Sequence, residues 1–182
     1  MGLTRKQAFE VIEREREYQD RVWPRDGHPL VRQYDYAAPH LAMLEDYCDD
    51  ARKLWRKSAD ETAALQAVGK MAAIAYRALT EIVVASEGGI EVKNTPLGVD
   101  GFINKARDRQ DKEHPRTKDN AGQYKFVISH IYLLKQYLRR IGDRWYKGNQ
   151  DKVIRSLAEV AAICVRAMEE VDGPDLLKVG LR

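Results

Sequence analysis

The chain has 182 residues, 44% hydrophobic and 32% charged, with a formal net charge of +3, a composition that suits one ordinary globular domain or two small ones. So slight a charge excess argues against a nucleic-acid groove or an anionic membrane face built on net charge alone, and no run approaches the roughly 18 apolar residues of a membrane span. The opening Met-Gly-Leu-Thr-Arg-Lys has no apolar stretch behind it, so the expectation is a cytoplasmic, unexported protein.

Apolar residues recur with periods near 3.6 and period-two alternation is nearly absent, which predicts an all-α chain. The first helix starts behind Thr4 as N-cap and runs to about Val22, where Pro24 stops it. A loop holding Asp26-Gly27-His28-Pro29 leads to a second helix near 38–57. Ser58 or Asp60 caps a third over about 60–85, closed by Gly88-Gly89. Residues 87–101, EGGIEVKNTPLGVDG, mix Gly, Pro and Asn without helical periodicity and read as a connector.

Beyond the connector the plan repeats. Arg16, Glu17, Gln19, Asp20, Pro24 and Arg25 answer to Arg107, Asp108, Gln110, Asp111, Pro115 and Arg116. HLAMLEDYCDDARKLW (40–55) answers to HIYLLKQYLRRIGDRW (130–145), and MAAIAYRALTE (71–81) to VAAICVRAMEE (160–170). The offsets are 91, 90 and 89 residues, so the connecting loops differ by one residue each, which loops tolerate. The expected organisation is a first repeat over 1–86, the connector, and a second repeat over 102–182 with a short C-terminal tail, all in one compact domain. A three-helix amphipathic unit standing alone would expose its apolar face, so the two are expected to pack on each other as an internal pseudo-dimer, a helical bundle. Alanines at 72, 73, 75 and 78, and at 158, 161, 162 and 167, suit close helix approach.

On a helical wheel His40, Leu44, Tyr47, Ala51 and Trp55 fall in one stripe about 80° wide, and His130, Leu134, Tyr137, Ile141 and Trp145 repeat it. This stripe is the predicted buried face, with each histidine a core residue at its edge. Glu45 and Asp49 lie opposite the stripe and Asp46 and Asp50 on its flank; the second copy puts Lys135, Arg139, Gln136 and Arg140 at those angles. The inverted charges fit a solvated face, an acid-against-base contact between halves or subunits, or a cation site. Cys48 and Cys164, far apart and without zinc-ligand spacing, read as reduced buried thiols. His28, His40, His114 and His130 form no HExxH pattern, and neither a phosphate loop nor a GxSxG elbow is present.

The first-helix pattern ER-E-QD--W, the acidic second helix with Glu45-Asp46-Tyr47-Cys48-Asp49 and the Ala/Val-rich third helix resemble phage-encoded MazG-like proteins of the all-α NTP pyrophosphohydrolase superfamily, here as a degenerate tandem duplication. The resemblance implies second-helix carboxylates that hold magnesium against nucleotide phosphates, hard cations preferring oxygen ligands. The third helix, however, offers Ala67 and Lys70 in the first copy and Ser156 and Glu159 in the second, so neither copy alone carries the family's cage. The resulting expectation is a protein without a cofactor that binds a nucleotide or nucleotide-derived signal in a cleft between its halves. It would sequester that ligand as a phage anti-defence sponge, with weak or no hydrolysis. Arg16, Gln19, Trp23 and Arg25, with Arg107, Gln110 and Arg116, would supply phosphate forks, a base-edge reader and a stacking ring; equally, they would form a solvated helix end over a packed Trp. Lys135 and Arg139, continued by Arg140, Arg144 and Lys147, make a basic flank fit for phosphate. The alternative is a magnesium-dependent pyrophosphohydrolase with Glu45, Asp46 and Asp49 as ligands, completed by Glu159 or by Glu13 and Glu17. A third reading is a protein-interaction adaptor, and a homo-oligomer is compatible with all three.

Overall fold

The computed structural model describes residues 2–24, 36–82, 98–173 and 176–181. Its elements are α1 (Arg5–Val22), α2 (Ala37–Ser58), α3 (Glu61–Glu81), α4 (Gly98–Glu113), a 3-10 turn (Ala121–Lys125), α5 (Val127–Tyr146), α6 (Gln150–Glu170) and a short α7 (Leu176–Val179). The described residues are helical with no strand, as the periodicity predicts, and no helix among them is long and apolar enough to cross a membrane.

Local chemistry sets most of the helix ends. Thr4 starts α1 with a capping box: its hydroxyl accepts from the Gln7 backbone N–H at 3.3 Å, and Gln7 Oε1 accepts from the Thr4 N–H at 2.9 Å. Asp60 accepts from the Ala63 N–H at 2.9 Å to start α3, and Asn149 accepts from the Lys152 N–H to start α6. The α2–α3 and α5–α6 turns pass through the left-handed region at Ala59 (φ 49°) and Gly148 (φ 70°) respectively. The second turn thus carries the residue that enters this region without a Cβ penalty.

Two boundaries differ from expectation. Helix α3 ends at Glu81, with Ile82 extended, instead of near residue 85; Gly88-Gly89 lies outside the described residues. Helix α4 begins at Gly98, inside the stretch read as connector. Its first turns are apolar enough to fold: Val99, Ile103 and Ala106 lie along one face and are buried, and the Gly and Pro just before them mask that period.

Helices α3 and α6 run through the middle. Helix α3 packs on α2, α1 and α6; α6 packs on α5, α4 and α3; α2 also lies against α5. Ala72, Ala73, Ala75 and Ala78 of α3 and Ala158, Ala161, Ala162 and Ala167 of α6 are all buried, and the buried apolar residues of all the long helices form one cluster. Cys48 and Cys164 are buried free thiols within it. His40, Leu44 and Ala51 are fully buried, as are His130, Leu134 and Ile141, whereas Tyr47, Tyr137 and Trp55 pack half-buried against the cluster.

Trp145, placed on the buried stripe by its spacing, is instead 47% exposed. The difference from Trp55 lies in the neighbouring helix. Trp55 Nε1 donates to Glu61 Oε1 at 2.8 Å, while the residue matching Glu61 in the second copy is Gln150, which is exposed. Glu61 also serves a third helix, because its Oε2 accepts from the Val127 backbone N–H at 2.8 Å. That bond caps α5, whose own N-cap Phe126 has no side chain able to do so. One carboxylate therefore ties α2, α3 and the start of α5 together.

Glu61→Ala strips both bonds and leaves the first N–H of α5 without its acceptor; urea unfolding should register a loss of about 1–3 kcal/mol, with Glu61→Gln losing less because it keeps an acceptor.

Candidate functional site

The chemistry gathers around an arginine on α6. Arg166 is 4% exposed, and its Nε donates to Glu170 Oε1 at 2.7 Å. Its terminal nitrogens donate to the backbone carbonyls of Gln110 at 3.4 Å and His114 at 3.3 Å, and lie 3.4 Å from Asp111. Glu170 accepts a two-pronged bond from Arg116, at 2.8–3.0 Å, and lies 3.5 Å from His130 Nε2. One pair, Arg166 buried and Glu170 half-buried, thus joins the end of α4, the loop behind it, α5 and α6. A matching set stands on α3: Arg77 Nε donates to Glu81 at 2.7 Å, Arg77 lies 3.2 Å from Asp20, and His40 Nε2 lies 3.4 Å from Glu81.

Burial pushes the Glu170 carboxyl up, but the hydrogen bonds from Arg116 and Arg166 outweigh it and hold the group below the ordinary carboxylate range. Asp111 follows the same pattern, with Arg107 as the strongest opposing donor. Burial pulls the His130 imidazole down to about 4, despite the attraction of Glu170 and the hydrogen bond to the Tyr124 carbonyl. His130 is neutral at pH 7.

Beside this network lies a cavity of about 320 Å³ walled by α4, the 114–126 loop, α5 and α6. Gln110, Arg116, Tyr124, His130, Tyr137 and Arg140 carry most of its chemistry, with Arg166 at its wall and Leu133 and Ile163 as apolar lining. Three arginines face it and, among the described residues, no carboxylate lines it. The Arg116 guanidinium stacks 3.3 Å above the Tyr124 ring, and Arg140 sits 5.1 Å from the centre of the Tyr137 ring. The loop is pinned rather than draped: Asn120 accepts from the Thr117 N–H, Ser129 donates to the Gln123 carbonyl, and the Asp172 N–H donates to the Lys125 carbonyl. These bonds hold Tyr124 over the cavity.

Of the residues expected to bind ligand, Gln110 and Arg116 meet here. Arg107 is buried and fully engaged, with Nε and one terminal nitrogen on Glu169 at 2.8 and 2.6 Å and the other on Asp111. Arg16 lies over Tyr76 at 4.8 Å, at a separate depression beside Glu10, Glu13, Glu17, Asp20 and Asp100. Gln19 is buried and donates to Glu15 at 3.0 Å, and Trp23 is 57% exposed with its ring edge-on to Tyr18. Arg25 lies outside the described residues. Lys135 pairs with Asp49 at 3.2 Å, and Arg139 is exposed on α5. The cavity thus sits within the second set of helices, while the depression beside Arg16 brings together residues of both halves, Tyr76 of the first and Asp100 of the second.

The acids proposed for magnesium are spread out. Glu45 and Asp46 are exposed on α2, Asp49 is shared by Lys135 and Arg52, and Glu159 pairs with Arg109. Among the described residues no group of three or more His, Cys, Asp or Glu could hold a metal ion. Sequence reasoning singles out neither Tyr124 nor Arg166, and it gives His130 no part beyond the core. Arg140 and Gln136 do carry a signal, since they lie on the flank of the buried stripe, where a packed face meets a cavity wall.

No protein-family model matches the chain, and no curated protein or solved structure matches it either.

The low value at His130 makes a pH prediction. Because its folded value lies below the ordinary 6.5, the unfolded chain binds the extra proton first as pH falls, so this residue's contribution to stability is present above 6.5 and is lost toward 4. Urea midpoints measured between pH 7 and pH 4.5 should fall steeply in the native chain and less steeply in His130→Gln. The losses from Asp111 and Glu170 begin as the unfolded chain's carboxylates take up protons near their ordinary values of 3.8 and 4.5, and run on below the window, so they set in mainly at its acid end and are common to both chains.

Proposed function

We propose that this chain binds a nucleotide or nucleotide-derived signalling molecule in the cavity beneath Tyr124 and holds it without turning it over. The observation that carries the reading is the lining itself: three arginines, two tyrosine rings and side-chain amides, with no carboxylate among the described lining residues to repel phosphate. Arg116 and Arg166 are already neutralised by Glu170 and Asp111. Arg140 makes no ion pair among the described residues, its contact being the Tyr137 ring, and is therefore the cation for phosphate. The tyrosine faces take the base, and Arg116, fixed as a flat plate on Tyr124, stiffens that wall. A volume near 320 Å³ is at the small end of ligand cavities and suits a mononucleotide-sized group.

The helices around it are read as a duplication in which two units bury their apolar faces on each other. The pairing of α3 with α6 and of α2 with α5, together with the matched Arg77–Glu81 and Arg166–Glu170 sets, supports that reading. With the MazG-like resemblance added, the protein would be a sequestering sponge of the phage anti-defence type. The carboxylate-free lining favours holding the ligand over hydrolysing it in this cavity.

Calorimetric titration of a panel of mononucleotides, dinucleotides and cyclic nucleotides, with and without magnesium, tests this directly. A ligand should bind without magnesium, and Arg140→Ala should weaken it about 10- to 100-fold, the range expected for losing a charge-assisted bond. Asp46→Asn with Asp49→Asn should leave binding unchanged. Turnover that this double change abolishes would instead support the magnesium-dependent pyrophosphohydrolase, and a wholly flat panel would support a protein-interaction adaptor.

A further inference from the structure

A hollow of about 600 Å³ lies between α1, α3 and the C-terminal segment 176–181. Val11, Arg14, Tyr18 and Arg21 share one face of α1 and line it, joined by Lys70 of α3. The C-terminal segment is anchored as its third wall. Arg14 donates to the Leu177 carbonyl at 3.1 Å and Gln66 to the Gly180 carbonyl at 2.8 Å, and Leu181 is buried against Gly69, where a Cβ would come 2.7 Å from its Cδ2. Arg14 and Arg21 are exposed and Lys70 half-buried, so all three side chains are reachable from the hollow they line. None of them makes an ion pair among the described residues: Arg21 lies 5.8 Å from the centre of the Tyr18 ring and Lys70 5.9 Å from that of Tyr47. The one carboxylate among the described lining residues, Glu15, is buried and accepts from Gln19 at 3.0 Å, and burial pushes it up, which weakens the charge it sets against the cations. The matching places in the second set of helices hold Arg109 and Glu159, which pair with each other; the first set has Tyr18 and Lys70 there. A cation stands in place of the acid, and no described residue supplies another.

We infer that this hollow binds an amphipathic anion, an apolar chain or ring ending in a carboxylate or a phosphate monoester, with its head among Arg14, Arg21 and Lys70 and its body along Tyr18 and Leu177. Three cations gathered on one hollow repel each other, and an anion between them replaces that repulsion with charge-assisted hydrogen bonds. The accessible apolar lining is Tyr18, Leu177 and the stems of the cations, backed by Val11, Leu176 and Leu181. A bare phosphate would leave that surface wet, and a neutral chain would leave the cations unmatched; a ligand with both parts uses both. The volume lies within the range of ligand cavities. The hollow shares no lining residue with the cavity beneath Tyr124, so this inference and the nucleotide reading stand or fall separately.

The test is calorimetric titration of the full chain with dodecanoate, dodecyl phosphate and dodecyltrimethylammonium, each below its micelle-forming concentration. At least one of the two anions should bind at least about 10-fold tighter than the cation, and the tighter of the two identifies the preferred head group. Lys70→Glu should weaken that anion by about 10-fold or more and Arg21→Gln by about 3-fold or more, in variants whose thermal midpoints show them folded. Arg140→Ala should bind it as the native chain does. Equal affinity for anions and cation, no binding by either anion, or undiminished affinity in a folded Lys70→Glu or Arg21→Gln would overturn the inference. A loss in Arg140→Ala would place the ligand beneath Tyr124 and overturn it as well.

Discussion

Arg166 and Glu170 are the pair on which the second half of the molecule depends. Two charges one helical turn apart, both largely withdrawn from water, are tolerable only when every prong is used. Here the spare donors of Arg166 reach the last carbonyls of α4, and the spare acceptor capacity of Glu170 takes Arg116. The result is a clamp in which α6 grips the end of one helix, the loop that follows it and, through His130, the start of another. Remove the clamp and Arg116 loses its orientation, Tyr124 its plate and the cavity its roof.

The same residue types stand in the same relation on α3, yet the surroundings have changed. Where α5 presents Gln136 and Arg140 to the cavity, α2 has Asp46 and Asp50 at the matching positions. The frame of histidine, leucine and tyrosine is held because it packs; the flanking charges are free to change because they do not. Their inversion has a consequence at short range, since Lys135 reaches across to Asp49 where α2 and α5 lie together. It also has one at the cavity, whose rim in the second set of helices is cationic. If the proposed duplication and the proposed binding both hold, one copy is the nucleotide-binding unit and the other its support.

Much of this is legible in the chain. Thr4, Asp60 and Asn149 are caps whose partners lie three residues away, so local sequence decides them, and the 3.6-residue period decides the faces of α2 and α5. What escapes is decided at a distance. Trp145 has the spacing of a buried residue, but its burial would require a carboxylate on the next helix, which Trp55 has and Trp145 lacks. Arg77 and Arg166 sit in alanine-rich runs that read as plain core, and nothing local says that acids and carbonyls from other helices will meet them. Tyr124 lies in a 3-10 turn with no period to announce it. Arg107 and Gln110 share one helix, and their spacing alone groups them together. Their different angles on that helix send the first into ion pairs with Glu169 and Asp111 and the second to the cavity wall.

The central claim is that nucleotide binding belongs to the cavity clamped by Arg166 and Glu170. Backbone amide spectra recorded while the tightest-binding member of the nucleotide panel is titrated in would locate the response. The account predicts shifts concentrated in residues 114–126, around Tyr137 and Arg140 on α5 and near Gln110. Shifts centred instead on Arg16 and Trp23, or none at saturating nucleotide, would contradict it.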